Sequence, residues 1–391
     1  APQPLSFFDT TTESRGVHEL DLLVRGDRAF ALLATTARFR LVEVTDPRNP
    51  IQLADWHLTE KLGEPLAGPP PLNSKFVHSA LASPDGTLAF LSYWDAAVII
   101  LDITDPAAPR YLGRTSFGAG EEGNAHSVAV SPDNRLLLTA DEDCSAGQNA
   151  PFNDFGFLRI FDISDPRQPR QLSIFHSPHS RTDPALGPPD GASYCLHNPF
   201  LVGELAFLSW YKDGIRAVDV SNPRRPQEVG WFLGRDQMWG VYVQPEKGNL
   251  ILASDMNFGL HLLRPVMPEA NPGGVLDGAS FATVAGGTGA PVAPGAIVSL
   301  FGSNLAGATA AAEALPLPKR LAGTAVLVNG EAVPLVYVSP HQINFHLPPS
   351  APAGRAQVRL EVENAGRRGA EIILNVVPAA PGIFTASQDG R

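Results

Sequence analysis

An all-β chain, built as a ring of four-stranded repeats followed by a β-sandwich, is predicted by three observations. Glycine (36) and proline (37) punctuate all 391 residues and leave almost no room for helices. Short apolar or alternating runs, the pattern of strands, recur between turn signals. A segment that closes on Asp-Pro or Asn-Pro returns about every 60 residues, and self-similarity at such a period points to a repeat architecture. Composition narrows the class. With 44% hydrophobic and 18% charged residues the chain can bury a core. The glycines follow no three-residue period, which excludes collagen, and no apolar run reaches 18 residues, so no transmembrane segment is expected. A formal charge of -11 without a basic stripe excludes nucleic acid as a partner. Residues 266–391 carry 7 basic and 8 acidic side chains, so the acidity lies in the N-terminal part.

The repeats follow in order. The second copy is the clearest: Val77-His78-Ser79-Ala80-Leu81, a Ser83-Pro84-Asp85-Gly86 turn, Leu88-Ala89-Phe90-Leu91-Ser92, then Val98 to Ile103 and Asp105-Pro106. The third runs from Ala125-His126-Ser127 through Ser131-Pro132-Asp133-Asn134 to Ile160-Phe161-Asp162-Ile163-Ser164-Asp165-Pro166. The fourth joins Leu196-His197-Asn198, Leu205 to Tyr211 and Ala217-Val218-Asp219-Val220-Ser221-Asn222-Pro223. Weaker copies flank them, one at Val17-His18-Glu19 to Asp46-Pro47 and one at Met238-Trp239-Gly240 to Leu262. Fourth strands are expected at Arg110–Gly113, Gln171–Phe175 and Glu228–Phe232. The fifth copy lacks one, and Pro4-Leu5-Ser6-Phe7-Phe8-Asp9 reads as the missing strand.

Four antiparallel strands per copy, repeated radially, predict a five-bladed β-propeller over residues 1–265, with the N-terminal strand closing the last blade and protecting its edge. These blades resemble the LVIVD-repeat propellers, on Ile100-Leu101-Asp102-Ile103, Ile160-Phe161-Asp162-Ile163 and Ala217-Val218-Asp219-Val220. The first copy departs by carrying Glu43 for the aspartate. The resemblance implies an extracytoplasmic propeller and no particular reaction.

Residues 266–274 read as a linker by composition. Beyond them, the runs 297–301, 325–328, 335–338, 357–362 and 371–376 predict a small β-sandwich over 275–391. Residues 308–314, rich in alanine, are expected as a loop or a single helical turn. The region resembles an Ig-like C-terminal domain recurring in large secreted bacterial proteins. The resemblance rests on Pro294 to Gly302, Val328-Asn329-Gly330, Tyr337 to Phe345 and Ala380-Pro381-Gly382-Ile383-Phe384.

Within each copy the first strand starts, and the second returns, on one face. His18, His78, His126 and His197 therefore take equivalent places at the channel mouth, and Trp239 takes the fifth. Converging neutral imidazoles suit a transition metal, with carboxylates behind them. The same recurrence is expected if each histidine only bonds the backbone of the next repeat. Trp94, Asp95, Asp141, Glu142, Trp210, Tyr211 and Asp255 are expected on this face with Trp239 as a binding surface. Among them Asp95, Asp141, Glu142 and Asp255 could supply a glycosidase pair, an acidic rim or a calcium site. The long excursions 58–76, 144–155 and 176–194 fall on the same face. Cys144 opens one excursion and Cys195 closes another in the adjacent repeat, a placement that suits a disulfide.

No dinucleotide fingerprint, Walker loop, zinc-protease helix or serine-hydrolase elbow occurs. The first reading is thus a secreted or cell-surface, non-catalytic protein in extracellular or periplasmic mature form. Its propeller face would bind a protein or carbohydrate, and its Ig-like domain would serve attachment or self-assembly into a polymer. The second reading is a metal-dependent oxidoreductase or hydrolase at the histidine ring. No cofactor is required by the first; a transition metal or calcium at the axis belongs to the second.

Overall fold

The computed structural model describes residues 3–10, 16–67, 74–118, 123–144, 154–181, 192–247, 250–281, 290–354, 358–364 and 367–384. Large parts of the three long excursions lie outside these residues. The chain divides into two compact units, Ala1–Arg264 and Pro265–Arg391. Both are almost wholly β, and the one α-helix among the described residues is the five-residue α1 (Leu58–Leu62), inside the first excursion.

Among the described residues the first unit holds five antiparallel meander sheets. Sheet I comprises β1 (Glu19–Arg25), β2 (Arg28–Ala34), β3 (Phe39–Glu43) and β4 (Ile51–Trp56). Sheet II is β5 (Ser79–Ala82), β6 (Leu88–Ser92), β7 (Val98–Asp102) and β8 (Arg110–Arg114). Sheet III is β9 (Ala125–Val130), β10 (Leu136–Asp141), β11 (Leu158–Asp162) and β12 (Arg170–Phe175). Sheet IV is β13 (Leu196–Val202), β14 (Leu205–Trp210), β15 (Gly214–Asp219) and β16 (Gln227–Phe232). Sheet V has three strands: β17 (Met238–Gln244), β18 (Leu250–Asp255) and β19 (Gly259–Leu263). The first strands of successive sheets neighbour one another, β1 to β5 to β9 to β13 to β17.

The repeated motif has a local cause. Asp102, Asp162 and Asp219 each accept the N–H two residues on, at 2.8–3.0 Å, and so turn the chain as it leaves the third strand. Asp46, Asp105, Asp165 and Asn222 then do the same before the fourth strand. Asp102 and Asp162 also bind Arg110 and Arg170 of their own fourth strands. In sheet I, Glu43 replaces this aspartate and is held by Arg28 and Thr45 instead.

Successive sheets are sealed by buried side chains from both members of each pair. Leu23, Phe30, Leu32 and Leu41 of sheet I pack on Ala80, Leu91, Ile99 and Leu101 of sheet II. Equivalent layers join II to III, III to IV and IV to V. Between V and I the described residues contain no such layer. Leu20, Leu22 and Val24 of β1, and Tyr242, Leu260 and Leu262 of sheet V, stay 53–71% exposed.

The N-terminal segment accordingly differs from the expectation. Residues 3–10 form no strand, and among the described residues no fourth strand pairs with β19. Instead the Ser6 hydroxyl donates to Pro47 O at 2.6 Å, and Phe8 packs on Ala31, Leu33 and Val42 of sheet I. Phe8 thus finds apolar cover on sheet I rather than beside β19.

In the second unit one sheet has the order β20 (Glu269–Asp277), β21 (Ile297–Ser303), β26 (Gln342–His346), β25 (Leu335–Val338) and β22 (Ala310–Ala311). The other runs β24 (Glu331–Ala332), β23 (Thr324–Val328), β27 (Val358–Asn364) and β28 (Arg367–Leu374). Val298, Leu300, Ile343 and Phe345 of the first share a core with Val326, Val328, Val362 and Leu374 of the second. Two expectations are corrected here. The stretch read as a linker is the edge strand β20, whose ladder to β21 skips from Ala270 to Val275. An edge strand with a bulge tolerates the proline and glycines that made it look like loop. The alanine-rich stretch contributes β22, paired with β25, and no helical turn.

Equivalent glycines test the packing between sheets. A Cβ on Gly113 would lie 2.6 Å from Pro166 O and 2.8 Å from Arg167 O of the next sheet, whereas on Gly230 it would meet only the Ala217 methyl at 3.8 Å. Gly113→Ala is expected to cost roughly 1–3 kcal/mol in urea unfolding and Gly230→Ala close to nothing. Equal effects would contradict the close approach of sheets II and III.

Candidate functional site

His18 and His78 immediately precede β1 and β5, and His126, His197 and Trp239 are the second residues of β9, β13 and β17. Because these strands lie side by side, their rings form a continuous arc. Centroids are 4.1 Å apart from His18 to His78, 3.8 Å from His78 to His126, 4.1 Å from His126 to His197 and 4.8 Å from His197 to Trp239. Serine hydroxyls lock the register. Ser79 donates to His126 O at 2.8 Å, Ser127 to His197 O at 2.6 Å and Ser209 to Trp239 O at 2.8 Å.

Each of the buried histidines also turns its ring toward the backbone of the next repeat, His78 toward His126, His126 toward His197 and His197 toward Trp239. His18, exposed, has Nδ1 3.2 Å from His78 O. His78 and His197 are buried, and their Nδ1 atoms make no hydrogen bond. His126 is 1% exposed, and its ring nitrogens make no hydrogen bond of good geometry. Burial disfavours the imidazolium, so His78 is pushed down to about 3, with the charges of His18 and His197 adding to the effect. His197 is lowered to about 4, mainly by burial, and His126 lies well below the ordinary range for the same reason. The arc therefore offers neutral imidazoles with free lone pairs at neutral pH.

Glu142, just past the end of β10, turns back onto the arc. One carboxylate oxygen is 3.3 Å from His126 Nε2, and the other is 3.8 Å from His197 Nε2. Tyr211 donates its hydroxyl to that second oxygen at 2.5 Å. Burial raises the Glu142 carboxyl and Tyr211 draws it back; Tyr211 itself is raised by burial and by the carboxylate it serves. One donor atom each from His78, His126 and Glu142 lies within 4.8 Å of the other two. On the far side Glu19 stands 3.9 Å from His78 Nδ1 and is pushed up to about 7 by burial and the charge of Asp21. Its recruitment was not foreseen. The only sign in the sequence is its position beside His18.

Aromatic rings flank the arc. Phe76 stacks on Trp94 at 4.9 Å, and Trp94 stacks on His78 at 5.4 Å. Trp94 holds φ 48°, a strained value for this residue type, in the turn from β6 to β7. Trp239 is exposed beside His197 and faces Tyr211 at 6.3 Å. Inward along the first strands, Ser79, Ser127, Asn198 and Gly240 line a cavity of about 480 Å³ together with Glu19 and Asp21.

Other residues expected on this face serve the fold. Asp95 accepts from Ser74 N at 2.7 Å, Asp141 is buried against Arg159 at 2.7 Å, and Asp255 takes the N–H groups of Asp236, Asn257 and Phe258. They recur at equivalent corners because each anchors a loop, and only Glu142 reaches the histidines. Trp210 is fully buried, with Nε1 donating to Tyr194 O. Cys144 and Cys195 form a disulfide, with a Cα separation of 5.1 Å.

No family model matches the chain, and no curated protein matches it in sequence. Solved structures with a similar arrangement include two 6-phosphogluconolactonase candidates, from Bacteroides uniformis and Bacteroides fragilis. They are 13% and 12% identical, each with a TM-score of 0.42, and each match covers 62% of this chain and 68% of the other.

The depressed histidines make a signed prediction. Between pH 6.5 and 4 an unfolded His197 binds a proton that the folded one refuses, so acid weakens the fold there, whereas the raised Glu19 acts in the opposite sense from about 4.5 to 7. A difference measurement isolates the histidine. The stability lost on His197→Asn should be smaller at pH 5 than at pH 7.5 by roughly 2 kcal/mol. A loss independent of pH would show that His197 titrates normally.

Proposed function

We propose that residues 1–264 form a five-bladed β-propeller whose axial histidines bind a transition-metal ion, and that the chain is a metal-dependent oxidoreductase or hydrolase. The reading is carried by His126, a fully buried imidazole set between two other neutral histidines, with Nε2 facing the Glu142 carboxylate at 3.3 Å. If the arc closes as a five-place circle, its steps of 3.8–4.8 Å put the centroids about 3.6 Å from the centre. A metal-bound imidazole centroid sits about 3.3 Å from the ion, a bond of about 2.1 Å plus half the ring. Nitrogen donors and one carboxylate favour zinc, iron, manganese or copper over calcium, which takes oxygen ligands.

His78, His126, His197 and Glu142 are the donors in this reading. Tyr211 holds the carboxylate, and Glu19, protonated or not near neutral pH, can exchange a proton beside His78. The bound ion would act as a Lewis acid on a water or substrate oxygen, or as the redox centre if it is iron or copper. Trp94 and Trp239 leave flat apolar walls on either side for substrate. Purified protein should bind about one Zn²⁺ or Co²⁺ per chain, and His126→Ala should weaken this about 100-fold or more while leaving the far-ultraviolet circular dichroism unchanged. Absence of binding by the wild type would refute the metal reading.

The ring reading rests on a repeated contact. Ser173 of β12 donates to Pro223 O of the next sheet at 2.6 Å, as Ser6 does to Pro47 O. The N-terminal segment thus contacts sheet I as the fourth strand of a preceding sheet would, and closure brings β19 to it. The exposed faces of β1 and of sheet V would then cover each other. The second unit is read as an Ig-like domain, and export is supported by the disulfide. The display and assembly reading draws on the same uncovered faces, which a second copy could occupy. Size-exclusion separates the two. Closure predicts a monomer in which Ser6→Cys and His261→Cys cross-link within one chain, whereas assembly predicts cross-linked oligomers.

A further inference from the structure

Two residues of the proposed metal site come from different sheets. Glu142 follows the end of β10 in sheet III, and His197 stands at the start of β13 in sheet IV. Cys144 lies two residues after the first, Cys195 lies two before the second, and a disulfide joins them. The disulfide is packed into the same structure that aims the carboxylate. Cys195 is fully buried with Phe155, Tyr194 and Tyr211, and Cys144 is partly buried against them. The hydroxyl of this same Tyr211 donates to Glu142. Glu142 is otherwise attached by its backbone N–H to Asn124 O at 2.9 Å, a bond that fixes the main chain but not the direction of the carboxylate.

We infer that the Cys144–Cys195 disulfide is the positioning element of the axial site, holding Glu142 against His126 and His197, so that the chain binds its transition-metal ion tightly only in the oxidised form. The inference rests on the metal reading above. With the bridge closed, the end of β10, Tyr211 and the start of β13 are one body, and the donor set is assembled before the ion arrives. With the bridge open, the backbone bonds from Gly156 N–H to Asp143 O and from Leu196 N–H to Gly156 O tie the segment after Glu142 to sheet IV, and Tyr211 is left with the packing of Phe155 and Tyr194 without the covalent brace beside them. Donor sets lacking such support bind metal about 10- to 100-fold more weakly. Reduction by a phosphine balances as an electron pair passing to the disulfide. The S–S bond breaks, water supplies two protons to the thiols, and its oxygen ends on the phosphine as phosphine oxide. In a cell a dithiol would do the same by exchange, attacking first at the partly exposed Cys144.

The test is a Co²⁺ titration of the full chain, followed by the visible d–d bands, which report donor geometry as well as affinity. Oxidised wild type should bind about one Co²⁺, and the Cys144→Ser/Cys195→Ser variant should bind it about tenfold or more weakly with altered bands. The serines remove the thiols as competing ligands. Wild type reduced with a phosphine, then freed of it, should show the same loss and recover on reoxidation. Tyr211→Phe, with the disulfide intact, should fall between the two and keeps the test open if the double variant does not fold. Unchanged affinity and bands in folded reduced protein would overturn the positioning role while leaving the metal reading standing. Failure of oxidised wild type to bind Co²⁺ would remove both.

Discussion

Each sheet of the first unit is apolar on both faces, and the need to cover both faces governs the rest of its structure. A four-stranded meander such as β5–β8 cannot bury Ala80 and Leu91 on one side and Phe90 and Ile100 on the other without a neighbour on each side. At about 25 cal/mol per Å² of apolar surface, the layers between sheets dominate the stability of the unit. Sheets stacked by this demand set their first strands side by side. The contacts that look specific, such as the serine bonds to neighbouring carbonyls and the Asp-Pro turns, fix register within an arrangement that apolar burial imposes.

The histidine arc follows from that arrangement. Residues in one position of a repeat are brought to within about 4 Å of one another, however far apart they are along the chain. Packing the rings this closely expels water and lowers the histidines, which leaves bases in place of cations. Desolvation thereby leaves a row of neutral imidazoles along the first strands. By strand register Glu142 and Tyr211 hold the same place in their repeats as Trp94 and Met256 do in theirs, and of these four only Glu142 brings a carboxylate to the arc.

Several features were legible because their causes are local. Aspartate at the end of a third strand caps the next turn through its own backbone, so the motif and the strand boundaries appear directly in the sequence. The recurrence of His18, His78, His126 and His197 was equally visible. Composition misled where tertiary context overrides it. Pro272, Gly273 and Gly274 suggested a linker but sit in a bulged edge strand. Trp210 was expected beside Tyr211 on the open face, yet it is the last residue of a buried strand and points into the core.

The sequence by itself determined the β class, the repeat, its turns and which residues share a position, because turn chemistry and strand alternation act over a few neighbouring residues. Tertiary structure alone decided which polar groups are used up and which are left over. Asp95, Asp141, Asp255 and Glu142 are all carboxylates near one face, and nothing in their immediate sequence separates them. What does separate them is the partner each finds across space: backbone N–H groups for Asp95 and Asp255, a buried arginine for Asp141, and for Glu142 the histidine arc. Hydrogen bonding and desolvation depend on atoms brought together from distant parts of the chain, so the character of the site is settled only when the sheets pack.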